Sequence, residues 1–489
     1  MMGIQVGALG NHNWDRGNAH LQQMIDYAGA PTDADHPGQP FRYLSANLAN
    51  VDDNLTGVAP WHMFKVGDAR IAVIGITNEE APGLVTPGSF GTIEVTDGVA
   101  AAHKYAAIAR KAGANAVVVI THKGFRGFDE FGAPFGELVD FANDLNPGAV
   151  DVILGDHTDI QFSGTINGIL VHEARSKGVS YVKTLLTVQP GKGGGVISKS
   201  ASFVTPVAPV RTTAQLIAAE CPDPTLPAPA AYCDAAMLSE LVGYRQDLAV
   251  LLDVKVATTT ASFPRGNAFE RTQESAQGNL IADGMRWFQG SQIAIMNSGG
   301  IRTALPSSYS PLADFQRPPE AAPWDLILGD IYSTLPFANT VLRRNITGAQ
   351  LWAALENGVS RIAADGSGAD GRFPQISGFK FAFDWSKATG CSGAAAVYTC
   401  TPSRVYSVTW LDGTPIPADS TLISIAIPSF VNQGGDSYRV FNDGTPGENE
   451  GLDAAVFQAY LNSLGPIPQL TPTVDGRIAR CGGCAPVAP

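Results

Sequence analysis

The sequence predicts an α/β fold in two parts, and three observations support that prediction. The chain has 489 residues, which is too long for one ordinary domain. Short apolar runs without polar alternation, at 71–76, 116–120 and 152–154, are typical of parallel strands covered on both faces by helices. A stretch rich in proline and alanine, residues 205–232, predicts a linker to a second set of elements.

The elements are expected in a definite order along the chain. The first domain, 1–205, includes a helix at 99–112 that Gly113 stops. Residues 206–252 hold the linker and a connecting helix that begins near Met237, and 253–480 form an α+β second domain. A capped helix is expected in that domain at 347–362, with Leu351, Leu355 and Val359 spaced for one buried face, and residues 481–489 are a tail.

Charge and hydropathy exclude two classes of partner. The formal net charge is −13, whereas binding to a nucleic acid polymer requires a basic surface. The longest apolar runs are as short as strands, so we expect no membrane span. The opening residues carry neither a basic flank nor a long apolar core, so no signal peptide is expected within them.

The six cysteines form three pairs that are local in sequence: Cys221 with Cys233, Cys391 with Cys400, and Cys481 with Cys484. An even number at short separations indicates disulfides and an oxidising compartment. Free thiols or a zinc site are the alternatives, although zinc needs four ligands and only the last pair has finger-like spacing.

Three segments carry side chains that suit a metal site. Gly10-Asn11-His12-Asn13-Trp14-Asp15 lies near the amino terminus, while His122 and His157-x-Asp159 each follow a predicted strand. Two divalent ions about 3.5–4 Å apart neutralise phosphoryl oxygens and activate water, and they need such imidazole, carboxylate and amide donors. In an extended segment, His157 and Asp159 would point the same way.

Each of these residues also has an ordinary structural interpretation. A histidine after a strand is often only a hydrogen-bonded group, Asn11 is suited to ending a turn, and Asp159 is suited to capping a helix. The pair His12 and Asp15 is also typical of a local ion pair at the start of a helix. The occurrence of all three segments in this order favours the metal site.

The second domain contains three loop-like motifs that suit a nucleoside or a phosphate. Asn297-Ser298-Gly299-Gly300-Ile301-Arg302 follows an apolar strand, and its arginine can hold a phosphate or carboxylate in a bidentate fashion. Pro336-Phe337-Ala338-Asn339 and the segment from Phe430 to Gly434-Gly435-Asp436 add two rings for stacking and a carboxylate for ribose hydroxyls. The alternative is that both phenylalanines belong to the core.

Together these segments resemble the calcineurin-like metallophosphoesterase domain of the 5′-nucleotidase family. That family carries a Gly-Asn-His-Glu-x-Asp block, a lone His after a strand and a Gly-x-His-x-(His/Gln/Asn) block. The resemblance implies that Asn11, His122 and His157 bind one divalent metal ion and that Asp159 contributes to a second. It also implies that His12, oriented by Asp15, stabilises developing charge or protonates the leaving oxygen.

The second domain is similar to the nucleoside-binding domain of the same family. This similarity includes Arg271-x-x-Glu274 with Gly278-Asn279-Leu280 at the opening helix. It implies a base held between Phe337 and Phe430, with Asn297, Arg302, Asn339, Gly435 and Asp436 around the substrate.

The chain departs from the family pattern at its start. The family has an upstream Asp-x-His and a bridging Asp, and neither is found before Gly10. We therefore expect an incomplete second metal site and impaired activity of this chain. A start codon assigned too late, a fragment and a true pseudoenzyme are the three explanations that remain open.

The resemblance predicts metal-dependent hydrolysis of nucleotide phosphate esters or anhydrides by activated water. Family members that act on UDP-sugars, 2′,3′-cyclic nucleotides or sulfur esters provide an alternative, and a nucleotide-binding protein without catalysis provides another. Mn, Zn, Co and Fe all suit the ligand set. The expected ligand is a nucleotide or nucleotide sugar and the expected location is extracytoplasmic, while the sequence leaves the oligomeric state open.

Overall fold

The structure, a computed structural model, describes residues 4–29, 41–128, 132–176, 178, 180–205, 235–266, 268–393 and 399–484. These residues divide into two compact units, one with those up to 205 and one with those from 235 onward. The predicted pair Cys221 and Cys233 lies outside the described residues, as does most of the predicted linker.

The first unit is built from strands and three described helices. Its helices are α1 (Gly17–Gly29), α2 (Gly98–Lys111) and α3 (Glu137–Asp144), and its strands are β1 (Val6–Ala8), β2 (Arg42–Leu44), β3 (Leu48–Ala49), β4 (Val58–Ala59), β5 (Trp61–Val66), β6 (Ala69–Ile76), β7 (Glu94–Val95), β8 (Ala116–Thr121), β9 (Gly127–Phe128), β10 (Pro134–Phe135), β11 (Val152–Gly155), β12 (Phe162–Ile166), β13 (Ile169–Glu173), β14 (Tyr181–Val188) and β15 (Val196–Val204).

A six-stranded sheet in the order β12-β13-β11-β8-β6-β5 is the centre of this unit. Its four inner strands are parallel, and its two edge strands are antiparallel to their neighbours. The three apolar runs noted in the sequence are β6, β8 and β11, so the predicted parallel sheet is confirmed. Because parallel strands end at the same edge of a sheet, the residues after β8 and β11 come together there.

Helix α2 covers the sheet with small buried residues such as Ala102 and Ala109, which pack in the same core as the strands. The side chain of Asp97 caps the helix by accepting hydrogen bonds from the backbone N–H groups of Val99 and Ala100. Gly113 follows the helix with a φ of 92°, as its predicted role as a stop requires.

The second unit combines four described sheets with helices. Its helices are α4 (Ala235–Leu252), α5 (Ala276–Gln289), α6 (Leu328–Thr334), α7 (Gly348–Val359), α8 (Ser429–Asn432) and α9 (Asp453–Ser463), and its strands are β16 (Lys255–Thr259), β17 (Ile293–Asn297), β18 (Trp324–Ile327), β19 (Thr340–Thr347), β20 (Pro374–Ser377), β21 (Phe379–Asp384), β22 (Cys391–Ser392), β23 (Thr399–Cys400), β24 (Val405–Trp410), β25 (Leu422–Pro428), β26 (Glu448–Leu452), β27 (Gln469–Leu470) and β28 (Ile478–Cys481).

A five-stranded mixed sheet in the order β20-β17-β25-β19-β26 forms the centre of this unit. Two three-stranded sheets, β18-β16-β27 and β24-β21-β28, accompany it. In the first of these, Thr258 of β16 pairs in parallel with Gln469 of β27, so strands from near the beginning and the end of the unit share one sheet. The α/β fold of the first unit and the α+β fold of the second agree with the prediction.

Helix α7 has the predicted cap and the predicted buried face. The hydroxyl of Thr347 accepts a hydrogen bond from the N–H of Gln350, whose side chain in turn accepts one from the N–H of Thr347. Leu351, Leu355 and Val359 are fully buried in the larger core of the unit. The helix ends at Val359 rather than at the predicted residue 362, because the chain makes a tight turn there.

Two of the predicted disulfides are formed, Cys391–Cys400 and Cys481–Cys484. The first joins strands β22 and β23 directly across their pairing. The second follows the end of β28. For these two pairs, the alternatives of free thiols and a zinc site are therefore wrong.

Candidate functional site

His122 occupies the edge of the central sheet at which the parallel strands end. It follows β8, and its Nε2 lies 3.1 Å from Nδ1 of His157, which comes two residues after β11. On the other side of the ring, Nδ1 lies 3.3 Å from Oδ2 of Asp156. Burial opposes ionisation of Asp156, but the hydrogen bond from His122 and the nearby charge lower the pKa of its carboxyl.

Gly10 brings the amino-terminal motif against this histidine pair. A Cβ at Gly10 would collide with the His122 ring, so only glycine allows this approach. The next residue, Asn11, is 3% exposed. Its Oδ1 is buried and has no hydrogen-bond partner among the described residues. A buried acceptor without a donor is costly in a protein interior, and a bound cation would satisfy it.

The loop after β11 is fixed by a buried acid, Glu173. Its carboxylate accepts hydrogen bonds from the N–H groups of Phe125 and Thr158 at 2.7 and 3.0 Å, and from the Thr158 hydroxyl. Burial raises the pKa of Glu173 to about 7, although these hydrogen bonds oppose the shift. Glu173 therefore ties the segment after His122 to the segment that carries His157.

The segment 157–159 is not extended, which corrects one expectation. His157 and Asp159 have φ values of 94° and 58°, so the alternation of side chains along a strand does not apply to them. Asp159 accepts hydrogen bonds through Oδ1 from the N–H of Ser176 at 2.8 Å and from Nε of Arg175 at 3.3 Å. Asp156, rather than Asp159, is the carboxylate that pairs with His122.

His12 and Asp15 form the predicted pair, in which Nδ1 of His12 lies 3.0 Å from Oδ2 of Asp15. Both side chains reach solvent, with 44% and 33% exposure. They belong to a short 3-10 helix and its end, Asn11–Trp14 and Asp15. The geometry suits an imidazole whose orientation a carboxylate fixes.

The donors on this edge fit one divalent ion in their chemistry. Two imidazoles make contact with each other, and the amide oxygen of Asn11 next to Gly10 lacks a partner among the described residues. Across the part of the chain that the structure describes, no group of three or more His, Cys, Asp or Glu side chains is arranged to hold a metal ion. A second ion site around Asp159 stays a prediction.

In the second unit, Asn297 and Asp436 form the centre of the candidate substrate site. Nδ2 of Asn297 donates to Oδ2 of Asp436 at 2.7 Å, and both residues are buried. Oδ1 of Asn297 is buried without a partner among the described residues. Burial, reinforced by the charge of Asp370, raises the pKa of Asp436 to about 6, and the bond from Asn297 opposes this shift.

Arg302 and Phe337 lie together beside this centre. The guanidinium carbon of Arg302 is 5.2 Å from the centre of the Phe337 ring, a cation–π contact. Nη1 of Arg302 also donates to the carbonyl of Gly299 at 3.1 Å. A Cβ on Gly299 would lie 3.2 Å from Oδ2 of Asp436, so this turn and the carboxylate are close neighbours.

Phe430 covers Gly435, at which any Cβ would collide with the ring. The ring of Phe430 is half-buried and packs on the larger core, as the core interpretation expected, yet it lies beside the residue that precedes Asp436. Asn339 contacts a different acid, Asp453, whose N–H donates to the Asn339 carbonyl at 2.9 Å. Burial raises the pKa of Asp453 to about 7, against hydrogen bonds that include one from the Asn339 side chain.

Several charged residues near these sites were not selected from the sequence. Asp156 and Glu173 are two of them, and both had a signal, because each is an acid at or just after the end of an apolar strand. The charges of Asp370, Arg372 and Arg271 also act on Asp436, and of these three the sequence indicated only Arg271, as part of the opening-helix motif. Their contribution depends on long-range folding, since all three lie far from Asp436 in sequence.

None of the helices that the structure describes combines the length and the apolarity that a membrane crossing requires.

The chain is similar to known 5'-nucleotidases in sequence and in structure. Residues 255–443 match the family model of the 5'-nucleotidase, C-terminal domain. The chain is 26% identical over 509 residues to a snake venom 5'-nucleotidase of Gloydius brevicauda, an alignment that covers 99% of this chain and 76% of the relative. A 5'-nucleotidase precursor from Thermus thermophilus has a similar structure, with a TM-score of 0.73 and 25% identity over 97% of this chain and 83% of that one.

A bacterial relative is much longer than this chain. The trifunctional nucleotide phosphoesterase protein YfkN of Bacillus subtilis (strain 168) is 25% identical over 514 residues, which cover 98% of this chain. The chain spans about 30% of the length of YfkN.

Proposed function

We propose that the chain hydrolyses nucleotide phosphate esters, a function that the match of residues 255–443 to the 5'-nucleotidase, C-terminal domain model supports. The contact between His122 and His157, beside the buried oxygen of Asn11, is the observation that carries the proposal. Imidazole and amide donors at the strand ends of a parallel sheet are suited to a divalent ion and thereby to phosphoryl chemistry.

Asn11, His122 and His157 would hold the first ion, and Asp159 would contribute to a second. When bound, such ions neutralise phosphoryl oxygens and lower the pKa of water. The donors suit Mn, Zn, Co and Fe alike. Asp156 would orient His122 through Nδ1, which leaves Nε2 of that ring for the ion.

His12 would transfer a proton to the leaving oxygen of the nucleotide. Its Nδ1 faces Asp15, so Nε2 is the ring atom suited to this transfer. The carboxylate of Asp15 fixes the orientation of the imidazole. Because both side chains reach solvent, the proton can be replaced from water between turnovers.

The second unit would recognise the nucleoside. Phe337 and Phe430 provide aromatic faces for the base, and Asp436 accepts hydrogen bonds from ribose hydroxyls. Arg302 adds a cation beside Phe337 for a phosphate or for the edge of a base. Asn297 holds the Asp436 carboxylate in place, while its own buried oxygen offers a further acceptor.

We propose an extracytoplasmic location for the chain. The two disulfides among the described residues require an oxidising environment to form and persist. The similarity to a snake venom 5'-nucleotidase also supports an extracytoplasmic location.

The test compares His122→Ala with His62→Ala in the full chain. His62 lies on edge strand β5 of the same sheet, so its variant controls for the loss of an imidazole. Binding of Mn²⁺ is measured by calorimetry, and hydrolysis of AMP is measured with Mn²⁺ added. We expect His122→Ala to lose at least about tenfold in affinity and about a hundredfold in rate, with His62→Ala unchanged. Equal metal binding by the two variants would contradict the proposal.

A further inference from the structure

The two described disulfides differ in how much of the chain each one constrains. Cys481–Cys484 joins residues three positions apart and closes a turn of two glycines, whereas Cys391–Cys400 joins residues nine positions apart. A cross-link stabilises a fold mainly by restricting the unfolded chain, and this effect is smaller for a shorter loop. Reduction of Cys481–Cys484 should therefore destabilise the fold less than reduction of Cys391–Cys400.

The turn between Cys481 and Cys484 is covered on one side and open on the other. A Cβ at Gly482 would lie 2.8 Å from Nε1 of Trp385, so this indole covers the first half of the turn. At Gly483, which has a φ of 72°, a Cβ would meet none of the described atoms within 4 Å apart from those of its chain neighbours. Both glycines are exposed and both cysteines are half-buried. A reagent can therefore approach the disulfide from the side of Cys484.

Backbone contacts hold this turn in place independently of the S–S bond. Cys481 is the last residue of β28, and its carbonyl accepts a hydrogen bond from the N–H of Trp385 at 3.0 Å. The N–H of Gly483 donates to Oδ1 of Asp384 at 3.1 Å and to Oγ of Ser386 at 3.0 Å. Because none of these contacts involves sulfur, the two thiols would stay close after reduction and could form the bond again.

Sγ of Cys481 has neighbours that suit each state of the sulfur. The Tyr406 hydroxyl lies 3.7 Å away, and it must be the donor to a disulfide sulfur, which carries no hydrogen. The same hydroxyl can donate to a thiolate, and this stabilises Cys481 as a leaving group. The carbonyl oxygen of Phe383 is also 3.7 Å from Sγ, where it can accept a hydrogen bond from the thiol alone. The surroundings of Cys481 therefore accommodate both the oxidised and the reduced sulfur.

We propose that Cys481–Cys484 is a thiol–disulfide exchange site that reacts with an external dithiol, while Cys391–Cys400 stays intact. A thiolate of the dithiol attacks Sγ of Cys484, the S–S bond breaks, and its electron pair leaves on Sγ of Cys481. The second thiolate of the dithiol then attacks the dithiol sulfur of the mixed disulfide and releases Cys484. The protein gains two electrons and two protons, and the dithiol leaves as its own disulfide. This site does not depend on the proposed hydrolysis.

The experiment treats the folded full chain with dithiothreitol, stops the reaction at intervals with an alkylating agent, and measures the labelling of each cysteine by mass spectrometry. Tryptophan fluorescence, recorded in parallel, shows whether the chain stays folded. Tyr406→Phe removes the hydroxyl beside the leaving sulfur. Tyr332→Phe is the matched control, because Tyr332 is an exposed tyrosine on α6 of the same unit.

We expect Cys481–Cys484 to be reduced at least about tenfold faster than Cys391–Cys400, with no change in fluorescence. The rate should fall by about fivefold in Tyr406→Phe, because a hydrogen bond to the leaving thiolate is lost, and should be unchanged in Tyr332→Phe. The proposal is overturned if both disulfides are reduced at the same rate, if Cys481–Cys484 is reduced only as the chain unfolds, or if Tyr406→Phe reacts as fast as the wild type.

A second measurement tests the direction of attack without reduction. Cys481→Ser leaves the thiol of Cys484, and Cys484→Ser leaves the thiol of Cys481. The thiol of Cys484 should be alkylated at least about tenfold faster, because it follows the open side of the turn. Faster alkylation of the Cys481 thiol would contradict attack at Cys484.

Discussion

Asn297 and Asp436 are separated by 139 positions in the sequence, yet a hydrogen bond of 2.7 Å joins their side chains. This bond holds a carboxylate in a buried turn where burial and the charge of Asp370 favour its protonated form. Asp436 itself has a φ of 50°, which is uncommon for a residue with a side chain. The energetic cost of this arrangement suggests that the carboxylate is kept for binding.

The first prediction concerns pH. With a pKa of about 6, the ionised fraction of Asp436 rises from about a tenth near pH 5 to about nine tenths near pH 7. Ribose hydroxyls donate to the ionised form, so adenosine affinity should increase by about tenfold over this range. The measurement is calorimetric titration with adenosine in the absence of metal.

Asp436→Asn should bind adenosine weakly and without this pH dependence, because an amide does not ionise. Asp412→Asn is the control, since Asp412 is an exposed acid of the same unit. An affinity that rises equally in wild type and in Asp436→Asn would refute the assignment of Asp436.

The second prediction concerns Gly10. In Gly10→Ala, the new methyl group collides with the His122 ring and must displace it or the amino-terminal motif. We expect a loss of about 10- to 100-fold in Mn²⁺ affinity, the range found when groups that support metal ligands are changed. Gly29→Ala, where a Cβ meets open space, should bind Mn²⁺ normally. Normal binding by Gly10→Ala would mean that the motif does not need its close approach to His122.

The third prediction separates His12 from the metal ligands. His12→Gln should reduce the rate of AMP hydrolysis by about 10²- to 10⁴-fold while Mn²⁺ affinity stays unchanged, because the residue moves a proton and holds no ion. A leaving group that needs no protonation, such as p-nitrophenolate, should restore much of the rate. The assignment fails if the variant loses Mn²⁺ binding, or if its defect is the same with both substrates.

The fourth prediction concerns Arg344, a buried residue of β19. Its guanidinium donates to Oδ1 of Asn432, to the carbonyl of Phe441 and to both oxygens of Asp443, so it ties together the two ends of the loop that carries Asp436. Arg344→Met should lower the free energy of unfolding by about 2–4 kcal/mol, measured in urea. We expect a loss of about 2 kcal/mol rather than about 4 kcal/mol, because the Asp443 side chain is partly exposed and solvent weakens its ion pair with Arg344.

Arg343→Met is the matched control, since Arg343 precedes Arg344 on the same strand and is only partly buried.

The pKa of Asp443 falls to about 2, because hydrogen bonds from Arg344 and Thr445 outweigh the effect of burial. The stability contributed by Asp443 is thus present above about pH 4 and is lost as the pH falls toward 2. In Arg344→Met this acid-dependent loss should become smaller, whereas Arg343→Met should retain it.

Elements with strong local signals could be predicted from the sequence. The apolar run 116–120 and the capping box of Thr347 and Gln350 both specify their structure within a few residues, and both are observed. Placing His122 and His157 together required only the rule that parallel strands end at one edge.

The backbone conformation at residues 157–159 limited the prediction of where the candidate metal ligands His157 and Asp159 point. The sequence His157-x-Asp159 was interpreted as extended, but left-handed φ values at both residues redirect the side chains. Buried partners such as Glu173 arise from tertiary packing, which a spacing argument does not include. The order of the motifs was therefore enough to predict which residues belong to the candidate sites. The hydrogen bonds around those residues could be identified only in the folded structure.

The pairing of Thr258 on β16 with Gln469 on β27 brings strands from near the two ends of the second unit into one sheet. Joining those ends with a loop and opening the chain at an exposed turn elsewhere would preserve the strand pairs. Circular permutation is tolerated where ends meet in this way. The unit therefore offers a scaffold into which a reporter domain can be inserted at an exposed turn.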